Sequence, residues 1–224
     1  MRVLWLATCE SFYDYVVSNS NFSTDSEGGW YTGLHQAIQS YDTEHTIKLG
    51  VAFTCARKVP DKAVIDDCTY YPLKPEKESY IQRLMYLWGG YKKTKKPWQS
   101  RITQIIEDFK PDLIHFFGIE SQMAYYLLNL NIPYVVNILG VLTPYYNTFF
   151  PINMNSYSVL IHNHSFKELI LNNQIRFAYK TMGIRTIYEK ELLSHCKNLA
   201  GRTEWDQQIA NIFAPQAQYY IINE

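Results

Sequence analysis

Apolar residues crowd the start of the chain: Val3-Leu4-Trp5-Leu6-Ala7 leaves no alternating polar position. A run apolar on both sides suits a central strand of a parallel sheet, so residues 2–8 are predicted as a buried strand. A polar stretch, 18–27, leads to Gly28-Gly29. Beyond it Trp30, Leu34, Ala37, Ile38 and Tyr41 recur at the three-to-four spacing of a helix face. Residues 46–54 read as a second strand. Residues 62–73 are rich in β-formers and read as a hairpin or a further strand, ending at Pro72 and Pro75. Ile81, Leu84, Met85 and Leu87-Trp88 mark a short helix over 79–88. A helix over 97–110 has Pro97 near its start and a stripe of Ile102, Ile105, Ile106 and Phe109. Strand 113–117, helix 121–130 and strand 134–139 follow in short order. That alternation predicts an α/β fold on a parallel sheet.

Residues 145–165 are rich in Tyr, Asn and Phe and match no single period. Helices are predicted over 166–180 and 186–196, the second anchored by Ile187, Leu192 and Leu193. A short strand over 198–200 precedes a helix over 203–212. Thr203 can cap that helix, with Asp206 placed three residues on to reciprocate. The last strand is 217–222. No internal repeat or long Gly/Ser linker interrupts the chain, so 1–224 reads as one domain.

Composition removes several function classes. At 47% hydrophobic and 19% charged the chain is globular rather than disordered. Lys plus Arg and Asp plus Glu are 21 each, so no broad basic surface for nucleic acid is expected. Cys9, Cys55, Cys68 and Cys196 form no CxxC pair, which leaves zinc-knuckle and thioredoxin-like readings unsupported and suggests reduced thiols in a cytosolic setting. No apolar run is long enough to span a bilayer, and the start lacks a signal-peptide pattern. From Ser121 to Phe166 there is no Lys, Arg, Asp or Glu in 46 residues. Two readings stay open for that segment: a strand and its helix buried on both faces, and a loop beyond Leu139 lining a neutral, apolar cleft. It has no basic face with which a helix could lie on a membrane.

Several positions carry potential chemistry. Gly28 and Gly29 follow a strand and open a helix, where backbone can approach a ligand and N–H groups can hold an anion. The pattern is neither GxGxxG nor a Walker loop. His115 ends a buried strand and reads as structural or as a ligand contact, since ligands gather at carboxyl ends of strands in open sheets. Glu120 reads as a helix cap or a site carboxylate. Asn137 needs partners if buried, so it is a network residue or a ligand donor. Tyr145 and Tyr146 can pack or meet sugar faces and hydroxyls. His162 and His164, with His115, lack supporting Cys or carboxylate spacing, so no metal is expected. The run Lys92-Lys93-Thr94-Lys95-Lys96 reads as a solvated loop or as a contact for lipid phosphates, which would make a peripheral membrane contact. There is no GxSxG nucleophile elbow. Asp66-Asp67 reads as a turn.

At Gly201-Arg202-Thr203-Glu204-Trp205-Asp206 the chain resembles the N-terminal domain of GT-B-fold glycosyltransferases of the retaining family four, closest to bacterial group 1-type members. The likeness also covers Leu4-Trp5 and Gly28-Gly29-Trp30. It takes in Pro111-Asp112-Leu113-Ile114-His115 followed by Phe117-Gly118-Ile119-Glu120, and Asn137-Ile138-Leu139-Gly140 running to Tyr145. At the end it includes Pro215, Ala217, Tyr219-Tyr220 and Asn223-Glu224. Many members carry His-x-His after the middle strand; here Phe117 holds the second place.

The resemblance implies a Rossmann-like parallel sheet with helices on both faces, one half of a two-domain enzyme whose donor-binding C-terminal half lies outside residues 1–224. It implies transfer of a sugar from a nucleotide-sugar to a glycan or lipid-linked acceptor with retention, the leaving diphosphate acting as base. No metal or cofactor is implied. Gly28 and Gly29 would approach the donor phosphate. Trp30, Phe117, Glu120, Asn137, Tyr145 and Tyr146 are acceptor-side candidates, and His115 is a weaker catalytic one. The setting implied is the cytoplasm, at the inner face of the membrane where the acceptor is lipid-linked. One rival is a non-catalytic Rossmann-like module for a glycan or lipid head group. Another is a complete one-domain enzyme such as a reductase, which would need a glycine fingerprint or nucleophile elbow that the sequence lacks.

Overall fold

The computed structural model describes residues 1–7, 29–74, 97–120, 122–154, 158 and 174–222. Strand β1 (Arg2–Ala7) lies at the middle of the sheet, parallel to β2 (Lys48–Thr54) on one side and to β5 (Leu113–Phe117) on the other. Its last five residues are buried, as a run without polar alternation requires. Strands β4 (Cys68–Leu73), β6 (Tyr134–Asn137), β7 (Asn198–Gly201) and β8 (Gln218–Ile221) extend the parallel sheet. The short β3 (Ala63–Ile65) pairs antiparallel with β4 at one edge. The order is β3-β4-β2-β1-β5-β6-β7-β8, and the direction of winding reverses between β1 and β5.

The predicted hairpin over 62–73 is β3 and β4. Its two turn residues, Asp66 and Asp67, have φ of 47° and 63°, the left-handed pair of a type I′ turn. The Leu73 carbonyl accepts from Cys55 N, so Pro72 faces the other way, past the last β3 pair at Tyr70, where its missing N–H breaks no ladder bond. Asp67→Gly relieves the backbone there and separates two adjacent carboxylates. It is expected to raise stability by about 0.5–1 kcal/mol in urea denaturation; a loss would show that the Asp67 side chain holds the turn.

The pleat sends alternate residues to two apolar layers. Trp5, Val51, Phe53, Tyr70 and Phe117 face helix α1 (Gly29–Tyr41), which packs Tyr31, Leu34 and Ile38 against them. Tyr41, predicted on that stripe, is exposed because it lies at the last turn and to one side of Tyr31, His35 and Ile38. Leu4, Leu6, Ala52, Ile114, Phe116, Val136 and Leu199 face the other way. They belong to a second cluster that takes in Ile102, Ile105 and Phe109 of α2 (Pro97–Phe109), the predicted stripe. Helix α3 (Gln122–Tyr126) continues as a 3-10 turn over Leu127–Asn129.

Two expectations change in the second half. The helices predicted over 166–180 and 186–196 meet in one continuous helix, α5 (Gln174–His195). Gly183, inside the predicted gap, is a notch: a methyl there would lie 2.9 Å from the Tyr146 ring. Of the predicted anchors Leu192 and Leu193 are buried and Ile187 is exposed; Glu189 joins the buried stripe, and Cys196, buried too, follows the last helical residue. Helix α6 (Glu204–Phe213) begins at the predicted cap, where Thr203 and Asp206 form both bonds of a capping box. The predicted helix over 79–88, the lysine run and residues 166–173 lie outside the described residues.

Candidate functional site

A reversal of winding leaves a crevice at the carboxyl ends of the two central strands, the usual ligand position in open α/β sheets. Here the reversal lies between β1 and β5, so that edge comprises Ala7, Phe117, Asn137 and Gly201 and the segments that follow them. Gly29 is the first residue of α1 and Trp30 the second. Gly28, His162 and His164 lie outside the described residues.

His115 and Phe117 share one face of β5 with Trp5 of β1. The His115 ring lies 4.1 Å from Phe117 between centroids and 6.4 Å, edge-on, from Trp5. Phe117 is fully buried and meets Trp5 and the Tyr31 of α1 edge-on, so its ring ties β1, β5 and α1 together. Burial pushes the His115 pKa down from 6.5 to about 4, which keeps the imidazole neutral. Its Nε2 has no hydrogen-bond partner among the described residues.

This depressed pKa gives stability a pH dependence. The unfolded chain takes up the proton first, so the His115 contribution is intact above pH 6.5 and is lost as pH falls toward about 4, to the extent of some 3 kcal/mol. His35, lowered chiefly by burial and opposed by the Asp66 charge, acts in the same direction. His115→Leu is expected to flatten the fall in stability between pH 6.5 and 4, measured by urea denaturation at stepped pH. An unchanged slope would assign the acid lability elsewhere.

Asn137 ends β6 in register with Phe117, and its carbonyl accepts from Gly118 N at 2.9 Å. The side chain is wholly buried, and neither Oδ1 nor Nδ2 has a partner among the described residues. The register places it on the same face of the sheet as His115.

Beyond β5 the chain turns sharply at Gly118, whose φ of +93° only glycine adopts readily. The turn returns the Glu120 carboxylate over two glycines. A side chain on Gly118 would collide with Oε2, and a methyl on Gly140 would lie 2.9 Å from Oε1. Burial raises the Glu120 pKa, against its own N–H and the charge of Arg185. Arg185 of α5 fixes this turn from behind: Nε and Nη2 both donate to the Glu120 carbonyl, at 2.9 and 2.8 Å.

After β6 comes a helix that the sequence did not reveal, α4 (Leu142–Asn147). Val141, at its N-cap, supplies no side-chain bond. The cap comes instead from Glu189, 1% exposed on α5, which accepts from Leu142 N (2.5 Å), Thr143 N (2.9 Å) and Thr143 Oγ1 (2.7 Å). Helix α4 leaves Tyr145 exposed. Tyr146 turns inward, stacking on Tyr179 at 4.7 Å and seating against Gly183. The structure therefore gathers Phe117, Glu120 and Asn137 at the ends of β5 and β6, with His115 one step back. Tyr146 is committed to the α4–α5 contact. Sequence reasoning passed over Glu189 and Arg185; the one signal was a Glu in phase with Leu192 and Leu193.

Among the described residues no group of His, Cys, Asp and Glu is placed to hold a metal, and no helix is long and apolar enough to cross a membrane. No protein-family model and no curated protein sequence matches the chain. Solved structures do resemble it. A sucrose-phosphate synthase from Thermosynechococcus elongatus superposes with a TM-score of 0.56 at 10% identity, over 99% of this chain and 48% of that one. A UDP-GlcNAc 2-epimerase from Methanocaldococcus jannaschii gives 0.42 at 11% identity, over 100% of this chain and 46% of that one. The chain spans about half the length of both. At such identities a likeness carries the fold alone, and that fold is a mostly parallel, helix-flanked sheet of the GT-B-like Rossmann kind.

Proposed function

We propose that this chain is the acceptor-binding half of a glycosyltransferase. In this reading it works with a donor-binding domain to move a sugar from a nucleotide-sugar to a glycan or lipid-linked acceptor. The observation that carries the reading is the superposition of nearly the whole chain on about half of a sucrose-phosphate synthase. The crevice at the β1/β5 reversal supports it, because ligands of open α/β sheets lie there. The start of α1, at Gly28 and Gly29, would take the donor phosphate through backbone N–H groups. Glu120, Asn137, Tyr145 and Trp30 would meet the acceptor, while Phe117 and Tyr146 would hold the surrounding elements in place. Transfer would proceed with retention, in the cytoplasm at the inner face of the membrane.

The test uses the native protein, captured from its source cells with an antibody against this chain. It is incubated with radiolabelled nucleotide-sugars and a glycan and lipid extract of the same cells. Incorporation of label, from a protein near twice this chain's length, is the expected result. Glycan binding without incorporation from any nucleotide-sugar would overturn the transferase reading and leave a non-catalytic glycan-binding module.

A further inference from the structure

The second half of α1 closes over the amino ends of β2 and β4, the edge of the sheet opposite the crevice, and a cavity of about 330 Å³ lies there. That volume falls within the range of small-molecule sites, roughly 300–1,000 Å³. The floor is apolar. Leu49 and Cys68 are buried in the same layer as Trp5, and Ile38 and Ile47 pack against that layer. His35, 6% exposed, adds a ring edge-on to Trp5 and to Tyr70, each 6.5 Å away between centroids. Burial lowers the His35 pKa against the opposing charge of Asp66, so the ring is neutral near pH 7.

The rim has the opposite character. It carries Asp66 and Asp67 from the β3–β4 turn and Asp42 from the segment after α1. Asp42 is fixed by its own loop: Thr46 Oγ1, Ile47 N and Thr46 N donate to it at 2.7, 2.7 and 2.9 Å. Neither turn carboxylate is paired with a lysine or arginine among the described residues, and none lines the cavity. The carboxyl end of α1, the negative end of its dipole, opens on the same space without a basic residue in its last turn. Such a mouth attracts positive charge and turns away phosphates and carboxylates.

We propose that this cavity binds a small organic cation, a primary ammonium on an apolar frame, with the ammonium at the acidic rim and the frame on the floor. An ammonium offers three donors and no acceptor, which matches carboxylates that only accept. A bare metal ion fits less well. Among the described residues no group of His, Cys, Asp and Glu is placed to hold one, and the apolar floor offers it nothing. The cavity lies away from the crevice, so its occupancy does not depend on sugar transfer.

The protein is titrated with phenethylamine, and separately with phenethyl alcohol, phenylacetate and magnesium chloride, at constant ionic strength. The His35 ring and Cys68 amide are followed by NMR. Saturable shifts with the amine are expected, with affinity for the alcohol at least about tenfold weaker and no shift with phenylacetate or magnesium. Asp66→Asn combined with Asp67→Asn removes two charges and keeps residue types that tolerate a left-handed turn, so the fold is retained. Amine affinity is expected to fall by about tenfold or more in that variant. Equal affinity for amine and alcohol would leave an apolar cleft that does not read charge and would overturn the proposal. Matching shifts with magnesium would reduce the rim to an acidic patch and would overturn it too. So would amine binding that the double variant leaves unchanged, or no shift with the amine at all.

Discussion

Replacing Glu189 with alanine is expected to lower stability by about 3–5 kcal/mol, with a fall in Tm of roughly 10 °C. The carboxylate is buried and accepts from two backbone N–H groups and one hydroxyl at the start of α4. Alanine leaves all three donors enclosed without an acceptor, and each carries its own desolvation penalty. Glu189→Gln keeps an oxygen for one donor but turns an amide nitrogen toward the others, so about half the loss is expected. Urea denaturation of the two variants checks the ranking. A loss under about 1 kcal/mol for alanine would mean that burying the charge costs nearly as much as its hydrogen bonds contribute. Loosening α4 also frees Tyr146 from its seat on Gly183 and Tyr179, so the site rim and the fold are expected to weaken together.

Phe117→Ala is expected to cost about 3–5 kcal/mol, the range for removing a large aromatic side chain from a packed core. The ring is fully buried and is shared by β1, β5 and α1 through Trp5, His115 and Tyr31. A cavity here therefore loosens the contact of α1 with the sheet, which His35, Leu34 and Ile38 still share. Phe117→Leu, which keeps much of the volume, is expected to lose less than half as much. Equal losses would point to the aromatic edge contacts, rather than volume, as the source of the stability. A Tm unchanged in Phe117→Ala would contradict the packing of this ring against Trp5 and Tyr31.

What the sequence revealed of this fold was local. The strand at Leu4-Trp5-Leu6 and the stripe Ile102, Ile105, Phe109 are readable because neighbours along the chain share one environment. The Thr203–Asp206 capping box is readable because both partners lie within one turn. Helix α4 escaped because its cap comes from Glu189, 46 residues after Thr143. The continuity of α5 escaped because Gly183 signals a break in isolation and becomes a notch only once Tyr146 arrives. For the candidate site, Asn137 could be marked as needing partners, but that it has none among the described residues is a fact of three dimensions. The setting of Glu120 was equally hidden, since it depends on Gly118 and Gly140 clearing space from two different strand ends.

The central place of β1 also bears on how the chain folds. Arg2 is tied to Asp112 in both directions: Arg2 N donates to the Asp112 carboxylate at 2.7 Å, and Asp112 N to the Arg2 carbonyl at 2.8 Å. The Arg2 guanidinium lies 4.7 Å from the centre of the Phe109 ring. During synthesis β1 therefore stays open along one edge until β5, more than a hundred residues later in the chain, has been made. At roughly 5–20 residues per second, that is many seconds with an apolar strand half paired. Closing so long a loop sets a high contact order, which places folding among the slower single domains and makes the nascent β1 edge the segment most in need of a chaperone's cover.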